Sequence, residues 1–437
     1  MLEALVAVGR AAGLDAVGVA PATPFERTRR DLEQRKADGL AAGMQFTYRN
    51  PARSTDPGRA LDGARSLVVG ALSYAITGPG DTDRPAGTTG DAGAPGSRHD
   101  DRGPSHRGPA GRVARYARRD HYADLRAGLT AVSDHLRANG WRTRVLADDN
   151  ALVDREAAVR AGLGWYGKNT NVLLPGRGSW FVLGSVVTDA PLPPSDQPVA
   201  DGCGACTRCL DGCPTQAIVA PGVVDARRCL AWLVQAPGTF PLEFREALGD
   251  RIYGCDDCQE VCPPNRRTVR VGDHSPVAAG RVARPGAVDA GRGTSSAALH
   301  PSAEPEATAS DAGDRPLPGQ PAAEGRRTAS ADAAGPGATV RLIELLDADD
   351  DTLVAAYGRW YIAERAPRYL RRNALVALGN VGRADDPEVG RVIGRALHGD
   401  DELLREHATW AAERLDLPVA AASDLKPAGS GAGRTTR

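Results

Sequence analysis

The chain has 437 residues, of which 41% are apolar and 25% are charged, and its formal net charge is −1 at pH 7. This length predicts two to four domains with a substantial core. The near-neutral charge excludes a protein-wide attraction to nucleic acid or membrane, so a surface for a polyanion must be a local patch. Because no apolar run of about eighteen residues could span a bilayer, and no signal-peptide pattern opens the chain, we expect a cytoplasmic protein without a membrane partner.

The first 199 residues alternate between helical and strand patterns, which predicts an α/β domain. Helical spacing of apolar residues covers residues 2–12 and 24–42, while DAVGVA and SLVVGALSYA have the apolar character of buried strands. The helical period returns in YADLRAGLTAVSDHL, and WRTRVLAD and WFVLGSVVTD supply two further strands. Residues 78–111 interrupt the pattern with Gly, Pro, Asp and Ala and almost no large apolar side chains, so we predict a disordered insertion there.

The rest of the chain divides by composition into four parts. Residues 200–275 contain every cysteine, and residues 276–338 resemble the first insertion in composition, so we predict a cysteine-rich domain and then a second disordered insertion. Residues 339–416 return to helical spacing, for example in YLRRNALVALGNVG. Short helices in pairs with Gly or Asp-Pro between them predict a HEAT-like helical domain, with a plain helical bundle as the alternative. Residues 417–437 are predicted to form a disordered tail.

The cysteines form two runs with a recognisable spacing. CGACTRCLDGCP has the pattern C-x2-C-x2-C-x3-C-P of bacterial [4Fe–4S] ferredoxins. YGCDDCQEVCPPN repeats its ending but lacks the opening cysteine, for which Cys229 can substitute. In two-cluster ferredoxins the fourth cysteine of each run binds the other cluster. We therefore predict a two-[4Fe–4S] ferredoxin-like domain, with one cluster on Cys203, Cys206, Cys209 and Cys262 and the other on Cys213, Cys229, Cys255 and Cys258.

Two structural zinc sites are the alternative for these thiols, although zinc ribbons usually pair C-x2-C with C-x2-C. Another motif is rejected on its context: GLGWYG, Gly162 to Gly167, matches the dinucleotide fingerprint in letters, but a helix precedes it and a strand follows. Gly162 is better interpreted as the end of that helix. A D-x-H-x-x-G motif for a cobalamin-ligating histidine is also missing, since DRGPSHRG has the wrong spacing.

Asp148, Asp149 and Asp154 lie between a predicted strand and a predicted helix, where an α/β sheet places its ligand crevice. A buried aspartate beside a cofactor can donate the proton that a reduction requires. The alternative for Asp148 and Asp149 is helix capping or a solvated loop.

Four blocks in this order resemble epoxyqueuosine reductase: DDNALVDREAAVRAGLGWYGKNTNVLL, GRGSWFVLGSVVTD, CGACTRCLDGCPTQAIVAPGVVDARRC and RIYGCDDCQEVCPPN. The resemblance covers residues 1–77, 112–265 and, more loosely, 340–415. It implies an α/β (α+β) N-terminal domain related to flavin nitroreductases, and an oxidoreductase that reduces epoxyqueuosine to queuosine at the wobble position of tRNA. It further implies that electrons pass from two [4Fe–4S] clusters to base-off cobalamin, while an aspartate donates the proton.

The resemblance also assigns site residues. The proton-donating aspartate falls on Asp148, and Asp154 and Arg155 end its block. The block RYARRDHYAD is one residue shorter than usual in the family, which leaves the roles of Asp120, His121 and Tyr122 open. The residues implied to surround cobalamin are Arg115, Asp148, Arg155, Lys168, Asn169, Val172, Ser179, Leu183, Leu230, Gln235, Asp256 and Asp257.

A tRNA partner requires phosphate contacts from clustered basic side chains. The alternative is an ordinary solvated helix face, because Glu364, Glu388 and Glu402 lie among the candidates. We also expect an external low-potential electron donor and a monomer. The candidate basic residues are Arg227, Arg228, Arg266, Arg267, Arg365, Arg368, Arg371, Arg372, Arg391 and Arg395.

Two other functions use the same cysteines. A corrinoid iron–sulfur reductase acting on a small molecule, as in reductive dehalogenation, would need no basic surface and no helical tail. A pure electron carrier would bind no corrinoid and turn nothing over.

Overall fold

The structure is a computed structural model that describes residues 2–75, 108–195, 198–266 and 337–418. Most of both predicted insertions and the predicted tail lie outside the described residues. Within the described ranges, no helix is long and apolar enough to cross a membrane.

The N-terminal part is built on a four-stranded sheet. Its strands lie in the order β1 (Ala16–Pro21), β2 (Ser66–Ser73), β7 (Phe181–Thr188) and β4 (Thr143–Ala147). Every neighbouring pair in this sheet is antiparallel, so a crevice at the carboxyl ends of parallel strands, the basis of our placement of the aspartates, does not exist here. The predicted helices and strands of this part are confirmed. The elements are α1 (Leu2–Ala11), β1 (Ala16–Pro21), α2 (Glu26–Ala37), α3 (Pro51–Ser54), β2 (Ser66–Ser73), β3 (Ala110–Val113), α4 (His121–Ala138), β4 (Thr143–Ala147), α5 (Asp154–Arg160), β5 (Trp165–Tyr166), β6 (Val172–Leu173) and β7 (Phe181–Thr188).

Both faces of this sheet are covered, because side chains alternate between the faces of a strand. On β2, Val68 belongs to the core that Leu125 and Leu129 of α4 share with α1. Its neighbours Leu67 and Val69 belong to a second core, formed with residues of α5. The layers are therefore helix, sheet and helix, and β2 is buried along most of its length.

Helix α5 is followed by a left-handed glycine rather than by a phosphate-binding turn. Ala161 caps the helix and Gly162 follows with φ +70°. The rejection of a dinucleotide fingerprint at this position is consistent with this order of elements.

The cysteine-rich part consists of short elements. They are α6 (Arg208–Asp211), β8 (Ile218–Ala220), β9 (Val223–Val224), α7 (Leu230–Leu233), α8 (Leu242–Leu248), β10 (Arg251–Tyr253) and α9 (Asp257–Glu260). The C-terminal part is β11 (Thr339–Arg341) followed by helices α10 (Leu342–Asp347), α11 (Asp350–Tyr357), α12 (Arg368–Val381), α13 (Pro387–Leu397) and α14 (Glu402–Arg414).

Strand β3 differs from the prediction, because it begins at Ala110, inside the segment predicted to be a disordered insertion. It pairs in parallel with β10 and antiparallel with β11. One small sheet thus joins strands from all three predicted domains. Their apolar side chains share one core, which includes Val113, Leu230, Ile252 and Leu375. The helical part is therefore packed onto the cysteine-rich part rather than tethered to it.

Candidate functional site

Four of the predicted cluster ligands line one cavity. Cys203, Cys206, Cys209 and Cys262 surround a space of about 230 Å³. Cys209 lies in α6 and Cys262 follows α9 after one residue, whereas Cys203 and Cys206 lie in the loop before α6. No group of three or more His, Cys, Asp or Glu side chains in the described ranges is tight enough for one bare metal ion; the four thiols instead enclose a volume. Four thiols around a cavity are a donor set that fits a [4Fe–4S] cluster.

The thiols of this set influence one another. The pKa of Cys262 is raised to about 11, first by burial and then by Cys203, Cys209 and Cys206. Thiolates are the form that binds metal, so the positive charge of a bound iron core would be needed to hold the Cys262 thiol deprotonated.

The other four cysteines form a second set that lies deeper. Burial raises the pKa of Cys258 well above its usual range, and Cys229 and Cys213 contribute. Burial also raises the pKa of Cys229, with a contribution from Cys213, and that of Cys255, with contributions from Asp257 and Cys258. The structure therefore brings both predicted sets together.

Asp148 and Asp149 have different surroundings. Asp148 follows the last residue of β4 and adopts a left-handed conformation, with φ +54°. Asp149 accepts a hydrogen bond of 2.9 Å from the backbone N–H of Ala151. This bond stabilises the loop before α5 and caps no helix, since Val153 is the N-cap of α5. Asp149 is thus explained by its loop, whereas Asp148 makes no such bond within the described residues.

The Asp148 carboxyl has a raised pKa, although the residue as a whole is exposed to solvent. Burial by surrounding protein atoms is the main cause; Asp149 and Asp120 add to it, and Arg126 opposes it. The pKa of Asp154, at the start of α5, is also raised well above its usual range by burial and by Asp148 and Asp149. A carboxyl that keeps its proton closer to neutral pH is suited to donate it.

Arg155 connects this acidic site to the second cysteine set. Its charge lowers the pKa of Asp154 and that of Cys229, in each case against the larger effect of burial. The same charge acts on Tyr74 and Tyr122. The start of α5 therefore lies close to the buried thiols.

A network of buried polar groups connects the sheet to the start of α9. The backbone N–H of Arg115 donates to Asp256 at 2.7 Å, and the guanidinium donates to the carbonyl of Ala75 at 3.2 Å and lies 4.9 Å from the ring centre of Trp180. Burial raises the pKa of Asp256 to about 6. Its Oδ1 atom is buried and has no hydrogen-bond partner among the described atoms. A polar group of a bound cofactor would satisfy this oxygen, so the position fits a cofactor with polar substituents.

Ser179 belongs to the same network through residues that the sequence did not single out. Its hydroxyl accepts from Gln259 at 3.0 Å and from Asn265 at 2.9 Å. Asn265 also accepts from the backbone N–H of Ser179 at 2.6 Å. Both partners lie in the QEVCPPN segment of the second cysteine run, and their polar character inside that motif was the available signal.

The other residues implied to surround cobalamin divide between several places. Lys168 and Asn169 line the cavity of the first cysteine set; Lys168 donates to the carbonyl of Gly204 at 2.6 Å, and Asn169 to that of Cys258 at 3.3 Å. Asp257 is paired with Arg251 through two bonds of 2.6 and 2.7 Å. The Gln235 side chain donates to Ala231 at 2.8 Å. Val172 and Leu230 are buried and Leu183 is half-buried.

In the block RYARRDHYAD, the structure gives structural roles to Asp120 and His121, two of the three residues whose roles the sequence left open. Asp120 caps α4 by accepting from the N–H of Ala123 at 2.9 Å. His121 is fully buried and its Nδ1 accepts from Arg119 at 3.2 Å. Burial and Arg119 lower the pKa of His121 to about 4, so it is neutral near physiological pH. Tyr122 has a raised pKa because it is buried and close to Asp148 and Asp154.

The predicted basic surface requires correction at Arg372. This residue is fully buried in α12, where its guanidinium donates to the carbonyls of Leu233, Ala236 and Gly238. It therefore cannot contact a phosphate. Five other candidate arginines are paired with nearby carboxylates, which favours the alternative of an ordinary solvated surface for them. They are Arg227, Arg368, Arg371, Arg391 and Arg395.

Arg228, Arg266 and Arg365 make no ion pair among the described residues, and Arg267 lies outside them. Arg365 follows Glu364, and both are left-handed with φ of 54° and 56°. Such strained non-glycine residues cluster at functional positions.

Residues 202–265 match the family described as 4Fe-4S double cluster binding domain. An epoxyqueuosine reductase of Bacillus anthracis is 35% identical over 263 residues, which are 60% of this chain and 64% of that protein. One of Vibrio cholerae is 47% identical over 158 residues, 35% of this chain and 42% of that protein. These curated relatives are matched over less than two thirds of their own length.

Two solved structures of epoxyqueuosine reductase are similar to the fold. A selenomethionine-labelled enzyme has a TM-score of 0.68 and 27% identity, over 94% of this chain and 90% of that chain. A complex with an epoxyqueuosine-modified stem loop of tyrosine tRNA has a TM-score of 0.68 and 26% identity, over 94% and 89% of the two chains. The chain therefore resembles the epoxyqueuosine reductases in sequence and in fold, as its motifs predicted.

Proposed function

We propose that this chain reduces the epoxide of epoxyqueuosine to the alkene of queuosine at the wobble position of tRNA. The reaction takes up two electrons and two protons and releases the epoxide oxygen as water. One observation carries the proposal: Asp148, a carboxyl with a raised pKa, lies just before a helix whose Arg155 acts electrostatically on Cys229 of the second cysteine set. A proton donor and a route for electrons are thus adjacent.

Two [4Fe–4S] clusters would be held by the two cysteine sets described above and would pass single electrons inward from an external low-potential donor. Cobalamin, bound base-off as the family resemblance implies, would supply a cobalt centre able to reduce the epoxide C–O bond. Asp256 and Arg155 are the residues of this chain best placed to contact it, because Asp256 has an unsatisfied buried oxygen and the charge of Arg155 acts on both Asp154 and Cys229.

Asp148 is assigned the proton transfer. Its raised pKa keeps a fraction of the carboxyl protonated at higher pH than an ordinary aspartate. As the C–O bond breaks, the oxygen gains negative charge, and the Asp148 proton neutralises it.

The tRNA would be contacted in part by the loop between α11 and α12. Tyr361 is 56% exposed, and its carbonyl accepts from the hydroxyl of Tyr253 at 3.0 Å. The charge of Asp148 contributes to the raised pKa of Tyr253, so the loop lies near the acidic site. An exposed aromatic ring with a basic neighbour, here Arg365, is suited to stack on an unpaired base and to contact its phosphate.

The finer architecture is part of the proposal. We assign residues 1–199 to a nitroreductase-like domain, 200–275 to the ferredoxin-like domain and 339–416 to HEAT-like helices, in a cytoplasmic monomer.

Asp148→Asn tests the assignment, with Asp149→Asn as the matched control from the next position. Each variant is reconstituted with iron, sulfide, cobalamin and a reductant, and is given epoxyqueuosine-containing tRNA; digested nucleosides are measured by mass spectrometry. We expect Asp148→Asn to lose at least about a hundredfold in turnover, the scale of general acid catalysis, with cluster spectra unchanged. Asp149→Asn should stay active. Full activity of Asp148→Asn would overturn the role, and an inactive wild type would overturn the function.

A further inference from the structure

Tyr122 is the second residue of α4, and its face of the helix lies against the end of β4, directly before Asp148. Arg126, one helical turn further along and on the same face, donates to the carbonyl of Ala147 at 2.8 Å. The Tyr122 ring packs against the core that contains Ala147 and Leu125. The proposed function gives this side chain no role.

The hydroxyl of Tyr122 faces a recess and has no partner there. It forms no hydrogen bond with another residue of the described ranges, and it is not one of their buried polar atoms that lack a partner. A hydroxyl that is neither bonded nor buried borders open space. Because Tyr122 as a whole is only partly exposed, that space is a recess in the protein rather than a flat surface.

Two carboxyls act on this hydroxyl across the recess. Burial is the main cause of the raised pKa of Tyr122, and Asp148 and Asp154 are the charges that raise it most. The effect of Tyr74 is smaller, and Arg155 opposes it. The hydroxyl therefore keeps its proton near neutral pH, so it is suited to donate a hydrogen bond and not to act as an acid.

The reaction of the proposed function uses a donor of this kind. The epoxide oxygen gains negative charge when its first C–O bond breaks, and again when the second bond breaks and the oxygen leaves as water. Asp148 is exposed, so it can regain a proton from solvent between the two steps and supply both protons. A fixed donor beside that acid would hold the oxygen in place and stabilise its developing charge.

We infer that the Tyr122 hydroxyl donates a hydrogen bond to the reacting oxygen of epoxyqueuosine and holds that oxygen beside Asp148. The inference rests on the proposed function and adds a second catalytic residue to it. Tyr122 forms no covalent bond with the substrate and transfers no proton to it.

Tyr122→Phe tests the inference, because phenylalanine keeps the ring that packs against the core and removes only the hydroxyl. The full chain is reconstituted with iron, sulfide, cobalamin and a reductant, and is given epoxyqueuosine-containing tRNA. We expect turnover to fall by about a hundredfold, the scale on which the loss of one fixed donor acts, at the iron content of the wild type. Tyr369→Phe, in the core of the C-terminal helices, should stay fully active.

A second measurement separates this role from a structural one. Binding of two tRNA stem loops, one with epoxyqueuosine and one with queuosine, is compared by fluorescence anisotropy without reductant. Only the first carries the oxygen that Tyr122 contacts, so the wild type should prefer it, and Tyr122→Phe should reduce the preference by roughly fivefold, the scale of one neutral hydrogen bond. Full turnover of Tyr122→Phe, or an unchanged preference, would overturn the inference. A wild type that forms no queuosine would instead overturn the proposed function.

Discussion

Asp148 and Asp149 show how neighbouring identical residues are separated only by their surroundings. Asp149 accepts a hydrogen bond from the backbone N–H of Ala151 within its own loop, whereas the pKa of Asp148 is raised by burial and by nearby acids. Nearby charges act on the pKa of Asp148 in both directions, because the positive charge of Arg126 in α4 lowers it. The guanidinium of Arg126 is held in place by a 2.8 Å bond to the carbonyl of Ala147.

Arg126→Gln is therefore expected to change the pH dependence of the reaction. Arg126 stabilises the charged form of Asp148, so its removal should raise the pKa of Asp148 further. The protonated acid then persists to higher pH, and the alkaline limb of kcat/KM should move to higher pH. Arg137→Gln, on the same helix and paired with Asp134, is the control. A limb that moves to lower pH would contradict the assignment of Asp148 as the acid.

Arg372 is a structural residue in a sequence pattern that suggested nucleic-acid binding. Burial lowers its pKa to about 10, and its donors satisfy three carbonyls, one at the end of α7 and two in the segment after it. Arg372→Met should lower the free energy of unfolding by roughly 3 kcal/mol or more, because buried acceptors are left unpaired. Urea unfolding measures this, and exposed Arg383→Met should change little. A small loss for Arg372→Met would show that the segment relaxes to solvent.

At the scale of elements, the turn before β7 packs closely against the segment after α9. A Cβ atom on Gly178 would lie 2.0 Å from Oδ1 of Asn265, and Gly178 has φ +73°. Gly176 has the same φ, but nothing lies within 4 Å of its Cβ position. The two positions share the backbone strain and differ in available space.

Gly178→Ala and Gly176→Ala form a matched pair for this contact. Both substitutions should lose about 1 kcal/mol from the left-handed backbone. Gly178→Ala should lose a further 1–3 kcal/mol, roughly, because Asn265 must move. Since Asn265 is three residues from Cys262, we also expect lower iron content after reconstitution. Equal unfolding free energies for the two variants would mean that Asn265 moves without loss.

Strand β3 is an element that sequence reasoning missed, since its first two residues fall within the predicted insertion of residues 78–111. Its four residues follow a long polar segment, and a strand this short has little periodicity of its own. Pairing with β10 and β11 orders it, and neither partner is near it in sequence.

At the scale of the whole molecule, the tRNA surface of the proposed function cannot be a broad basic face, because five of the ten predicted arginines are paired with acids and Arg372 is buried. Arg365 and Arg391 provide a test of this view. Arg365 makes no ion pair among the described residues, while Arg391 is bound to Asp347 and Glu388. Arg365→Gln should weaken tRNA binding at fixed salt and reduce the salt slope by about one; Arg391→Gln should do neither. Fluorescence anisotropy with the modified stem loop measures both, and equal affinities would exclude Arg365 as a phosphate contact.

The sequence by itself determined the cysteine sets, the acidic segment after β4 and most elements of the first part. These features are recognised from the spacing of residues along the chain, and that spacing does not change when the chain folds. Tertiary structure decided what depends on distant neighbours: that the pKa of Asp148 is raised, that Arg372 is buried, and that β3 joins three parts of the chain. Burial and partners arise only when distant segments pack, so residue types and spacing alone could not assign these roles.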